Sequence, residues 1–182
     1  MNQQDLLQAL RDPKRREQAF TRLVREHGPL LHRHLLRMLP AASDVDDVLQ
    51  NTLVKVFRNL DRFRGDSKLT TWLYRIATNE ALSWLRSNKR RSSRVGTADL
   101  SKLHDYQPVA DPYFDGTAAQ RELRKAIAEL PDKQKAVFVF RYYDELPYQQ
   151  ISEITGTSQG ALKANYHLAA KKIEQKLRAY AE

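Results

Sequence analysis

The chain has 182 residues, with 31 Lys and Arg against 22 Asp and Glu, a formal net charge of +9 and a sequence pI of about 9.8. That length allows one ordinary domain or two small ones, and the charge points to a polyanionic partner, nucleic acid before an anionic membrane. The absence of cysteine excludes disulfides, cysteine zinc sites and thiol catalysis, and there is no apolar run of the roughly 18 residues that a membrane span needs.

The opening stretch, MNQQDLLQALRDPKRREQAF, has no apolar segment behind its charges. No secretory signal is expected, and the chain reads as soluble and cytoplasmic. From Pro13, the residues Phe20, Leu23, Val24, Leu30, Leu31, Leu35 and Leu39 recur at helical spacing. Gly28-Pro29 predicts a kink or a break between two helices, and Pro40 predicts the end. His27, His32 and His34 fall in this segment, but His32 and His34 lie two apart and so point to different helix faces. They read as surface and packing histidines, and no metal site is expected.

Asp44 to Leu60 carries one apolar stripe of Val45, Val48, Leu49, Leu53, Val56, Phe57 and Leu60, which predicts an amphipathic helix capped by Ser43 or Asp44. Asp44, Asp46 and Asp47 in its first turn complement the positive end of the helix dipole, which accounts for them without any function. Asp46, Asp47, Gln50 and Asn51 share the solvent side and would also suit a basic partner. A metal-holding carboxylate set on these aspartates lacks supporting ligands elsewhere.

Asp61 to Lys68, DRFRGDSK, is a predicted loop. Leu69 to Arg86 then reads as a helix with Leu69, Trp72, Leu73, Ile76, Ala77, Ala81, Trp84 and Leu85 inward. Tyr74, Arg75, Thr78, Asn79, Leu82 and Arg86 fall elsewhere on its circumference. Between Arg64 and Arg94, eight basic residues face only Asp66 and Glu80. Basic residues mixed with aromatics and Asn suit a single strand, whose phosphates need charge and whose unstacked bases need flat or amide partners.

Composition changes at about Ser92. Residues 92–117 are rich in Gly, Pro, Ser and Asp without a sustained period, and predict a flexible, acidic linker. A second helical module starts near Ala118 with Leu123, Ile127 and Leu130 inward. Pro131 opens a helix to about Tyr143.

Pro147 to Arg178 predicts a short helix (148–155), a turn at Gly156-Thr157 and a long helix capped by Ser158. Leu162, Tyr166, Ala169, Ile173 and Leu177 face inward, which leaves Gln159, Lys163, Ala164, His167, Lys171 and Lys172 towards solvent. A short helix, a sharp turn and a second helix with a basic outer face is the arrangement of a helix-turn-helix DNA reader; a plain helical hairpin with solvating lysines is the alternative. The expected fold is all-α, two small helical domains (1–91 and 118–182) joined by the linker.

Residues 44–86, DVDDVLQNTLVKVFRNLDRFRGDSKLTTWLYRIATNEALSWLR, resemble region 2 of bacterial extracytoplasmic-function (ECF) sigma factors of the sigma-70 family. Residues 127–177, IAELPDKQKAVFVFRYYDELPYQQISEITGTSQGALKANYHLAAKKIEQKL, resemble their region 4. The resemblance implies a specificity subunit of RNA polymerase rather than an enzyme, with no cofactor and no small-molecule substrate. It implies docking of the 44–60 helix on the clamp helices of the largest polymerase subunit through Asp46, Asp47, Gln50 and Asn51, with the polymerase flap as a further contact. It implies −10 recognition in the non-template strand by Phe63, Arg64, Gly65, Asp66, Ser67, Lys68, Arg75 and Asn79, with Arg86, Lys89, Arg90 and Arg91 on nearby phosphates. For the −35 duplex it implies Lys163, Ala164 and His167 in the major groove. Ser158 and Gln159 would lie at a phosphate, with Arg141, Lys171 and Lys172 adding charge. The family is commonly held silent by an anti-sigma factor, often at the inner membrane. Asn165, Leu168 and Ala170 replace an arginine-rich run frequent in the family, so its promoter motifs do not carry over. A stand-alone helix-turn-helix regulator binding DNA as a dimer is the alternative, and a metal nuclease on Asp44, Asp46 and Asp47 a third reading.

Overall fold

The computed structural model describes residues 3–63, 65, 67–95 and 118–181. Most of the predicted linker, together with Arg64 and Asp66 of the predicted −10 loop, lies outside the described residues. Among those described, all regular structure is helical: α1 (Gln3–Arg11), α2 (Arg16–Met38), α3 (Ala42–Asn59), α4 (Leu69–Val95), α5 (Ala118–Ala128), α6 (Asp132–Phe138), α7 (Tyr148–Thr155) and α8 (Gln159–Ala181). A 3₁₀ turn (Leu60–Arg62) follows α3, and a π turn (Val139–Tyr143) continues α6.

The first module is built on α2, α3 and α4, with α1 laid across α2. The polar N-terminus gives little sign of α1, yet Leu6, Ala9 and Leu10 sit at helical spacing and are buried. Nor does α2 break at Gly28-Pro29: it runs through both residues as one helix of 23 residues. Proline costs an interior hydrogen bond there, but Leu23, Leu31, Leu35 and Met38 are buried along the same face and hold the two halves in line. Helix α3 starts at Ala42, ahead of both expected caps, Ser43 and Asp44, with Ala41 as a cap that offers no side-chain bond. The Asp44 carboxylate instead accepts from the Ala41 N–H, satisfying one of the free donors of the first turn.

The second module packs α5 and α6 on α8, with α7 against α8's first half. The helix-turn-helix follows the sequence pattern closely. Gly156 ends α7 in the left-handed region, with φ 68°. Ser158 Oγ then accepts the Ala161 N–H at 3.3 Å, capping α8.

The two modules do not stand apart. One hydrophobic core runs from Leu23, Leu35, Leu73 and Ala77 of the first into Val137, Phe140, Ile151 and Ile154 of the second. A smaller cluster of Ile127, Leu130, Phe138, Ala169 and Ile173 fills the second module alone. Helix α7 lies on α4, and the π turn lies on α2. This corrects the expected faces of α4: Tyr74 is buried against His34 of α2 and Phe140 of the second module, and Thr78 against His34.

Candidate nucleic-acid and partner interfaces

Three surfaces gather the predicted site residues. The first is the outer side of α3. Asp46, Asp47, Gln50 and Asn51 are all exposed there, as expected. Phe57, expected in the core stripe, is 39% exposed, and Val54 beside it is 42% exposed. With Phe20, Leu49 and Leu53 they line an apolar groove of about 400 Å³, and Asp46, Gln50 and Arg58 form its polar margin. The walls are held in place: Phe20 meets Phe57 edge-on at 5.0 Å, and Arg16 lies 4.7 Å over the Phe57 ring while donating to the Phe57 carbonyl at 2.8 Å. An open apolar groove beside carboxylates and amides suits an amphipathic helix that carries basic residues. Sequence periodicity cannot separate Phe57 from the core, because Phe57 keeps the spacing of the buried stripe while its ring lines the open groove beside Phe20.

The second surface is the turn 61–68 with α4. Gly65 takes φ 85°, a conformation glycine adopts without strain. Phe63 is 3% exposed, its ring 5.1 Å from that of Trp72 and its carbonyl accepting from Arg11 Nη2 at 2.9 Å. Its ring therefore anchors the loop and is not presented to a base. Ser67 is half-buried and Lys68 exposed. Arg75, Asn79, Arg86, Lys89, Arg90 and Arg91 line the exposed side of α4. Two of these are engaged by the second module: the Arg75 guanidinium donates to the Glu153 carbonyl of α7, and Lys89 Nζ lies 2.7 Å from Asp132 Oδ1.

The third surface is the outer face of α8. Ser158, Gln159, Lys163, Ala164, His167 and Lys171 are exposed, and Lys163 and Lys171 make no ion pair among the described residues. Lys163 Nζ lies 5.9 Å from the centre of the Tyr148 ring, and Arg141 lies 5.5 Å from it. Arg141 also donates to the Leu146 carbonyl at 3.4 Å, which ties it to the start of α7. Lys172, Lys176 and Arg178 are drawn into the module instead, pairing with Gln134, Glu129 and Glu174. The cationic patch available to a phosphate backbone is thus Lys163 and Lys171, flanked by Arg141 and the capped N-terminus of α8.

Between these surfaces lies a cluster that the sequence pattern does not reveal. His34, on α2, is fully buried and Asp144, which closes the π turn, has a side chain 4% exposed. Burial, reinforced by the Asp144 carboxylate, pushes the Tyr74 phenol well above its usual range. Nearby, burial pulls the Lys135 ammonium down to about 8, and Lys89 adds to the fall. Among the described residues no group of three His, Asp or Glu is arranged to hold a metal, and no helix is long and apolar enough to cross a membrane.

Comparison with known proteins follows the same division. The family model for Sigma-70 region 2 matches residues 23–91, and that for Sigma-70, region 4 matches 120–173. The ECF RNA polymerase sigma-E factor of Escherichia coli K12 is 31% identical over 170 residues, covering 88% of this chain and 87% of its own. The ECF RNA polymerase sigma factor SigW of Bacillus subtilis is 29% identical over 171 residues, covering 89% and 90%. Two solved structures share the fold. The sigma factor RpoE in complex with the anti-sigma factor NepR from Bartonella quintana gives a TM-score of 0.70 at 21% identity, over 87% of this chain and 96% of that one. CnrH in complex with the cytosolic domain of CnrY gives 0.65 at 23% identity, over 96% of both chains.

Proposed function

We infer that this chain, which belongs to the ECF RNA polymerase sigma factors of the sigma-70 family, directs promoter-specific initiation through two separate DNA-reading modules. Residues 1–91, with the end of α4 carried on to Val95 into the stretch expected as linker, form the polymerase-docking and −10 module, the rest of 92–117 the connection, and 118–182 the −35 module. The observation that carries this reading is the α3 groove: an open apolar channel, margined by Asp46 and Gln50 with Asp47 and Asn51 alongside, on the module opposite to the helix-turn-helix. An open apolar groove with an acidic and amide margin suits a subunit that must seat on a basic helical partner.

On this reading α3 docks on the clamp helices of core polymerase, and the flap takes part of the second module. The turn at 63–68 and the exposed side of α4 take the single-stranded −10 element, with Lys68, Arg75, Arg86, Lys89, Arg90 and Arg91 on phosphates and Asn79 offering an amide to a base edge. Helix α8 enters the major groove at −35, presenting Lys163, Ala164 and His167 to base edges while Ser158, Gln159, Arg141 and Lys171 fix the backbone. No catalytic group is required, because the polymerase performs the chemistry. An anti-sigma factor would silence the chain by occupying its docking surfaces, and a membrane-anchored one would hold it at the inner membrane. One of the two solved structures is a sigma factor in complex with an anti-sigma factor, which supports the reading.

Co-purification with bacterial core polymerase tests the docking surface, comparing the wild type with the double variant Asp47→Lys, Gln50→Ala. Wild type retained and variant lost is the expected result. If neither binds core while the wild type alone binds a duplex, the chain is a stand-alone helix-turn-helix regulator.

A further inference from the structure

Helix α8 turns carbon as well as charge towards solvent. Its core side is closed by Leu162, Ala169 and Ile173, each no more than 5% exposed. Away from that side stand Lys163 and Lys171, exposed and without an ion pair among the described residues. Beside them Ala161, Ala164 and Leu168 follow at spacings of three and four, which puts them on one helix face. All three are exposed, and Leu168, at 46%, is a large apolar side chain with nearly half its surface in water.

The flank beyond this stripe is polar but occupied. Asn165 is half-buried and its Nδ2 donates to the Ala161 carbonyl at 2.9 Å, while Lys172 Nζ donates to Gln134 Oε1 at 3.0 Å. The helix is also slim here. A Cβ on Gly160 would meet nothing within 4 Å, so the module's packing does not require glycine there, and Ala164 follows one turn on. An exposed leucine by itself means little, because much of any protein surface is apolar. Its place on α8 is what matters: free lysines and a capped N-terminus border it, and these are the groups that fix a duplex backbone. The part of the helix nearest the base edges therefore includes a side chain that can neither donate nor accept. Of the four bases, thymine alone shows a methyl group in the major groove, whereas the other three show only hydrogen-bonding edges. Leucine pressed on such an edge strips its water and returns no bond, but against a methyl group both surfaces gain.

We propose that Leu168, with Ala161 and Ala164, is a specificity-determining stripe that selects T·A base pairs in the −35 element through their thymine methyl groups. The proposal rests on the assignment of α8 to the −35 duplex and adds the base chemistry that this helix prefers. Lys171 holds the backbone alike on every sequence, and Lys163 and His167 remain the polar readers. Affinity and selectivity are thus carried by different side chains of one helix.

The test uses the full chain assembled with core polymerase, selecting from duplexes randomised across the upstream element. The wild type is expected to enrich an element with thymine at fixed positions. Each of these thymines is then replaced by deoxyuridine, which removes the methyl group and leaves every hydrogen-bonding group in place. Where the stripe reads the base, the wild type should bind the uracil duplex about fourfold more weakly. Leu168→Ala should shrink that difference, whereas Lys171→Ala should weaken both duplexes equally. Leu168→Arg should shift the preference at that position towards guanine by about tenfold, since arginine can donate to both guanine acceptors. Leu168 is exposed, so neither of its variants should alter the fold, which circular dichroism checks, and the uracil comparison on the wild type needs no variant. An element without thymine, uracil substitutions that cost the wild type nothing, or a Leu168→Arg variant with unchanged preference overturns the stripe and leaves the −35 reading standing. A Leu168→Arg variant that splits a dimer of the free chain without changing base preference assigns the leucine to a contact between copies, and also overturns it. A chain that binds core but enriches no upstream element removes the −35 reading and the proposal with it.

Discussion

Helices α3 and α4 are neighbours in one module, both amphipathic and both turned outward on one side, yet their outer sides differ in kind. That of α3 is apolar with an acidic and amide margin and is left open. That of α4 is cationic and is partly covered by α6 and α7. An apolar groove that no described residue covers awaits a partner, whereas a cationic strip already bonded to protein at Arg75 and Lys89 must give up those contacts to bind elsewhere. The same physical rule, that apolar and charged surface both seek partners, gives an unfilled site in one case and a filled one in the other.

The largest effect should come from spoiling the open face. Phe57→Asp places a carboxylate in the centre of the groove, and a central apolar anchor typically contributes about 2–4 kcal/mol to an interface, so core polymerase affinity should fall by about 30- to 1000-fold. Titration with labelled core measures it. The side chain is 39% exposed, so the thermal midpoint should move little. A midpoint that collapses would instead make Phe57 a core residue and the groove incidental.

Next in size is a change on the covered side. Lys135 is 7% exposed, near the Lys89–Asp132 pair, and burial lowers its ammonium to about 8 from 10.5. A lysine lowered in the folded state binds its proton less well there than when unfolded. The penalty is therefore carried in full below about pH 8 and is relieved as pH rises from there towards 10.5. Lys135→Met should raise stability at pH 7 by at most about 3 kcal/mol and flatten the rise between those pH values. Denaturant unfolding across that range checks both, and a variant whose profile keeps the wild-type slope would show that another group is responsible.

The helix-turn-helix is legible to the residue because its signals are local: Pro147 before α7, Gly156 at the left-handed turn and Ser158 as the cap each act within a few positions. The solvent side of α3 is legible for the same reason, since a single periodic stripe defines its opposite. What escapes is non-local. Tyr74 and Thr78 look like outward residues on the period of α4, yet Tyr74 is buried against Phe140 of the second module and Thr78 against His34 of α2, contacts that no periodicity encodes. His34 reads as one of three ordinary histidines, and its partner Asp144 stands 110 positions away. Gly28-Pro29 reads as a kink or break because local propensity opposes a helix there, and burial on both sides of it prevails.

The smallest expected effect compares one lysine on an open face with one on the covered face. Lys163 stands exposed on α8 with no ion pair among the described residues, while Lys89 on α4 is held by Asp132 at 2.7 Å. Each phosphate-binding lysine contributes about one to the salt slope of duplex binding, so Lys163→Ala should weaken that binding by about 1 kcal/mol and flatten its dependence on salt. Lys89→Ala should change the free chain's duplex affinity less than Lys163→Ala, because that ammonium must leave Asp132 to reach a phosphate. Fluorescence anisotropy on one duplex over a range of salt, with both variants in parallel, reads the two slopes. Equal losses from both lysines would mean that the Asp132 pair does not hold Lys89 back from DNA, and the distinction between a free and an engaged cation would fail at its simplest point.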